Sequence, residues 1–136
     1  MTTALLVDDS KFMVRAMKQI VESFDIDVVA TAGDGNEGLE AYRAHQPDVT
    51  LLDVTMPNMD GLQCLQAIRS EYPDAKIIMV SAIRTEETVQ RCLDSGAVAF
   101  LQKPIRPNSP SDLARLSDAL DAAKNQTNTA HQPETV

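Results

Sequence analysis

Apolar residues fall along this chain in two alternating patterns. Unbroken runs at 4–7 (A-L-L-V), 49–52 (V-T-L-L, interrupted only by one threonine) and 77–80 (I-I-M-V) are short and end at Asp or Ser. Such runs are too brief for helices and read as buried strands. Between them, apolar residues recur three and four positions apart, the spacing of a helix with one inward face. Met13, Met17, Ile20, Val21 and Phe24 form the first such stripe, and Ser10 stands where a cap is needed. A shorter strand over 28–31 follows. Asp34 and Glu37 have the spacing of a capping box for a helix through His45, which Gln46-Pro47 ends.

The same alternation continues to the end of the chain. After the strand at 49–53, Asp60 is placed to cap a helix over about 62–71, with Leu62, Leu65 and Ile68 inward. A strand over 76–81 leads to a helix over 86–94 that buries Val89, Cys92 and Leu93 and stops at Gly96. The fifth strand spans 98–101. Ser109, Pro110 and Asp112 then supply a cap, a first-turn proline and an acidic first turn for a last helix reaching about Lys124, with Leu113, Leu116 and Leu120 inward. The strand–helix unit occurs five times, which predicts an α/β fold with a parallel sheet covered on both faces. Residues 1–124 are expected to form one domain. The polar, aperiodic tail at 125–136 is expected to be disordered.

Composition narrows the function classes. Hydrophobic residues make up 43% of the chain and charged ones 24%, the balance of a soluble globular protein. A net charge of -8 argues against non-specific binding to nucleic acid. Cys64 and Cys92 lack zinc or redox spacing and fit a reduced compartment. Neither a signal peptide nor a membrane-length apolar stretch is visible, so a cytoplasmic location is expected, without membrane insertion.

The chemistry gathers at the strand exits. In open parallel sheets, function collects at the carboxyl ends of the strands. Here those ends carry Asp8 and Asp9, Asp53, Ser81 and Lys103. In the doubly wound order 2-1-3-4-5, the exits of strands 1, 3, 4 and 5 lie side by side. Three ionised carboxylates together repel and require a cation, and a few carboxylates with retained water suit Mg²⁺. A lysine and a hydroxyl opposite them suit a phosphoryl group. A carboxylate nucleophile attacking phosphorus gives an aspartyl phosphate, and Asp53 stands between the acidic and the basic exits. Plainer roles remain open: Asp8 as a helix cap, Ser81 as a partner for a strand-end amide, Phe100 as core and Lys103 as a surface lysine.

Four pieces in order, L-L-V-D-D-S, L-L-D-V-T-M-P-N-M-D-G, V-S-A and A-F-L-Q-K-P, resemble the response-regulator receiver domains of two-component signalling. The strand order 2-1-3-4-5 and the flavodoxin-like (βα)5 architecture are those of this family. The resemblance implies that Asp53 is the phosphoacceptor, with Asp9 and Asp53 as direct Mg²⁺ ligands. Asp8 would act through water, and the Thr55 carbonyl would complete the set. Ser81 and Lys103 would bind phosphoryl oxygens, Phe100 would be the aromatic switch residue, and Lys103-Pro104 would match a commonly cis pair. It further implies a stand-alone signalling switch rather than an enzyme. A histidine kinase or phosphotransfer protein would phosphorylate it, and a downstream protein would bind its fourth helix, fifth strand and fifth helix. Val14 departs from the family's frequent arginine, Phe100 lacks a tyrosine hydroxyl, and P-I-R-P-N-S-P delays the last helix. A phosphorelay shuttle is an alternative within the family. An Asp-nucleophile phosphatase would need a second Asp at position 55, where Thr stands, and a flavodoxin-like carrier would not place Asp8 and Asp9 after its first strand.

Overall fold

The computed structural model describes residues 2–56 and 58–129. Strands β1 (Thr2–Val7), β2 (Ile26–Ala32), β3 (Val49–Asp53), β4 (Ile77–Ser81) and β5 (Ala99–Gln102) alternate with helices α1 (Lys11–Glu22), α2 (Gly35–His45), α3 (Gly61–Glu71), α4 (Glu86–Asp94) and α5 (Pro110–Thr129). The strands pair in parallel in the order β2-β1-β3-β4-β5. β3 therefore lies at the centre, and its last residue, Asp53, is opposite Val80 of β4.

Alternation along each strand divides the core in two, because successive side chains point to opposite faces. Ala4, Leu6, Leu51, Ile78 and Val80 pack beneath α1 and α5, against Met17, Ile20, Val21 and Leu116. Leu5, Val7, Leu52, Ile77 and Met79 pack on the other face, against Tyr42, Leu65, Ile68 and Cys92 of α2, α3 and α4. Both layers are buried and predominantly aliphatic, so the strand exits rest on a rigid floor.

The caps hold largely as the residues suggest. The Ser10 hydroxyl accepts from the Met13 amide at 3.2 Å, and Ser109 accepts from the Asp112 amide at 3.3 Å. At α2 the expected box is only half made. Asp34 accepts from the Glu37 amide at 2.8 Å, but the Glu37 carboxylate reaches back to the Gly33 amide instead of that of Asp34. The complete capping box is at α3, between Asp60 and Gln63. Gln46 closes α2 in the left-handed conformation, and Gly96 follows α4 at φ 105°.

Three expectations are corrected. β2 spans Ile26–Ala32 and is longer than the predicted 28–31. In α4 only Cys92 is buried, while Leu93 is 41% exposed and Val89 half-buried. The helix covers edge strand β5 and touches α3, which is too little surface to bury a full apolar stripe. α5 continues past Lys124 to Thr129. The tail expected to be disordered lies, over 130–136, outside the described residues.

Candidate functional site

Each predicted strand exit delivers its side chain to the same end of the sheet. β1 ends at Val7, so Asp8 and Asp9 fall in the turn before α1. That turn is fixed from both sides: the Asp8 amide donates to the Ala32 carbonyl at 3.0 Å, and Asp8 Oδ1 accepts from the Ser10 amide at 2.9 Å. Ser10 is the cap of α1, so Asp8 does not fill that plainer role and its Oδ1 closes the turn onto the Ser10 amide instead. Its other oxygen, Oδ2, accepts from Lys103 Nζ at 2.7 Å.

Lys103 bridges the two sides of the site. Its Nζ is also 3.5 Å from Asp53 Oδ1. The side chains of Lys103, Asp8 and Asp53 are 14%, 13% and 8% exposed, so this pairing is shielded from solvent. Asp8, Asp9 and Asp53 each bring a carboxylate oxygen within 4.8 Å of the others. One ammonium against three carboxylates leaves an excess of negative charge. This donor set, all oxygen and with Asp9 open to solvent, fits a hard divalent cation with retained water.

Burial raises the Asp53 carboxyl above its ordinary range; Lys103 opposes the shift and the neighbouring Asp8 charge adds to it. The Thr55 amide also favours the ionised form. Thr55 itself is exposed, two residues past Asp53 on the loop to α3.

Ser81 ends β4 beside Gln102 and is buried. Its hydroxyl accepts from the Ile83 amide at 3.1 Å, while its carbonyl accepts from the Lys103 amide at 2.9 Å. Ser81 and Lys103 are therefore joined through the backbone, with the hydroxyl occupied locally. Phe100 lies opposite Met79 and is half-buried, with the Arg84 guanidinium carbon 5.7 Å from its ring centroid. The Lys103–Pro104 peptide is cis.

Two further features of the site were not found from the residues. The first is Gly61, where a Cβ would fall on the carbonyl oxygen of Asp53 and close to Val54 Cα. From the residues, Asp60 was legible as the helix cap, but nothing marked Gly61. The second is a clamp on the loop after Asp53: Asn58 donates to Asp34 Oδ2 at 2.9 Å, and the Gly35 amide donates to the Met59 carbonyl at 3.0 Å. Asn58 holds φ 67° there, a conformation that Asn tolerates better than most residues.

Comparison with known proteins bears on the family and the fold. The family model described as response regulator receiver domain matches residues 4–115. The chemotaxis protein CheY of Listeria monocytogenes is 39% identical over 123 residues, covering 90% of this chain and 98% of that protein. Protein-glutamate methylesterase/protein-glutamine glutaminase 2 of Nitratidesulfovibrio vulgaris is 43% identical over 88% of this chain, which spans only 33% of that relative. Among solved structures, the CheX-CheY-BeF3-Mg²⁺ complex from Borrelia burgdorferi matches with a TM-score of 0.80 and 36% identity, over 88% of this chain and 86% of that one. The family model spans most of the chain and the Listeria relative matches it along nearly its whole length, so this chain belongs to the response regulator receiver domain family.

Proposed function

We propose that this receiver domain takes a phosphoryl group from a histidine kinase or phosphotransfer protein onto Asp53 in a Mg²⁺-dependent reaction. The new state then changes its affinity for a downstream protein that binds the face of α4, β5 and α5. The observation that carries this reading is the position of Asp53: it is buried at the end of the central strand, with carboxylate oxygens of Asp8 and Asp9 within 4.8 Å and the Lys103 ammonium 3.5 Å away.

A carboxylate oxygen of Asp53 attacks phosphorus, and the P–N bond of a phosphohistidine breaks with its electron pair leaving on nitrogen. Attack requires ionised Asp53. Lys103, 3.5 Å away, favours that form against the cost of burial. Asp9 and Asp53 would hold Mg²⁺ directly, Asp8 through water, and Thr55 through its carbonyl. When bound, the ion would neutralise the carboxylates and the incoming phosphoryl oxygens. Lys103 would exchange its contact with Asp8 or Asp53 for a phosphoryl oxygen. The Ser81 hydroxyl would leave the Ile83 amide to do the same, and Phe100, on the neighbouring strand opposite Met79, would turn into the space released.

Incubation with acetyl phosphate and Mg²⁺ tests the reading. One phosphoryl group per chain is expected by intact mass, none in Asp53→Ala, and little in excess chelator. Undiminished labelling of Asp53→Ala would remove Asp53 from the role.

A further inference from the structure

On a chain of net charge -8, one cleft is basic. It has a volume of about 530 Å³, and its lining includes Arg84, Lys103, Arg106 and Arg115 around the Phe100 ring. Of the 12 lysines and arginines in the sequence, these four share a single concavity.

The arginines are held in place. Asp112, at the first turn of α5, is fully covered, while Arg106 and Arg115 above it are 60% and 50% exposed. Arg106 Nε donates to Asp112 Oδ2 at 2.7 Å and Arg115 donates to Oδ1 at 2.5 Å. Arg106 Nη2 also donates to Oδ1 at 3.4 Å, and the Arg106 amide adds a fourth bond at 3.0 Å, which ties the loop after Lys103 to α5. One carboxylate thus orders two guanidiniums and leaves a net positive charge with donors facing outward. Arg84 also lines the cleft, lying over Phe100 without a carboxylate partner among the described residues.

We propose that this cleft binds an acidic segment of a partner protein, with carboxylates meeting the guanidiniums of Arg84, Arg106 and Arg115 and an apolar side chain meeting Phe100. The proposal rests on the reading of α4, β5 and α5 as the output face and specifies the chemistry of what binds there. Guanidinium forks match carboxylates two bonds at a time, and the order imposed by Asp112 reduces the entropy lost on binding. Nucleic acid is disfavoured by the charge on the rest of the molecule.

The probe is a synthetic peptide alternating Glu or Asp with Leu, titrated into the untreated full chain by NMR and calorimetry. Because no phosphorylation is involved, failure of Asp53 as acceptor leaves this test intact. Shifts are expected at Arg84 and across 100–106, with affinity falling about tenfold in Arg84→Gln and in Arg115→Gln. Lys18→Gln, on α1, should bind as the parent does. Arg115→Lys keeps the charge but loses the fork, and should bind more weakly than the parent. Asp112→Asn makes the cleft more positive yet frees both guanidiniums, so a folded variant should bind less tightly. Tighter binding by Asp112→Asn, or equal loss in Lys18→Gln, would reduce the effect to bulk charge and overturn the proposal. So would absence of binding, or equal binding of a single-stranded oligonucleotide.

Discussion

Asp112 shows how much one residue can do outside the acidic site. Its carboxyl lies well below the usual carboxylate range, first because of the Arg106 side chain and amide, and then Arg115. A pKa depressed in the folded state contributes stability above the unfolded value and loses it as pH falls through the folded one. Asp112→Asn is therefore expected to lower the melting temperature by a constant amount from pH 5 to 8. The gap should begin to narrow below about pH 4, where an unfolded aspartate takes up its proton, and close only as pH falls through the lower folded value. A gap independent of pH would assign the effect to packing. The sequence showed Asp112 only as an acid in a first helical turn. That Arg106 and Arg115 converge on it depends on the path of the loop 103–109, which no local spacing encodes. Asp8, Asp9, Asp53 and Lys103 were legible because strand ends are easy to place and a parallel sheet aligns them.

Helices and strands were readable to the extent that periodicity is enforced by burial on both faces. β3 and β4 are buried throughout and appeared at their full length. α4, at the sheet edge, kept the helical spacing but not the burial it suggested, since Leu93 turns toward solvent. The start of α3 has the opposite character, because its constraint concerns what must be absent. Alanine in place of glycine within a helix ordinarily stabilises by about 0.5–1 kcal/mol. At Gly61 the added methyl would meet backbone atoms of Asp53 and Val54, which cannot rotate away. Overpacking of this kind costs about 1–3 kcal/mol, so the sign reverses. Gly61→Ala should lower the urea midpoint and slow acetyl phosphate labelling by displacing Asp53. An unchanged labelling rate would show that the strand end absorbs the shift.

For the molecule as a whole, the pattern of residues gave an α/β sheet, and family resemblance supplied the order in which its strands lie. β2-β1-β3-β4-β5 puts Asp8, Asp9 and Asp53, at the exits of β1 and β3, beside a lysine that follows β5. Lys103 has two neighbourhoods. Its ammonium rests on Asp8, and its side chain also borders the cleft of Arg84, Arg106 and Arg115. A ligand that repositions Lys103 from one side changes the charge felt on the other, and such linkage is reciprocal in equilibrium terms. The acidic peptide should therefore alter Mg²⁺ affinity, and Mg²⁺ should alter peptide affinity by the same factor, about fivefold or more for coupling of typical strength. Under the proposed function, Lys103 would be an exchange point through which a partner on α4, β5 and α5 affects the readiness of Asp53. A coupling factor of one would mean that the two ends of this side chain behave independently.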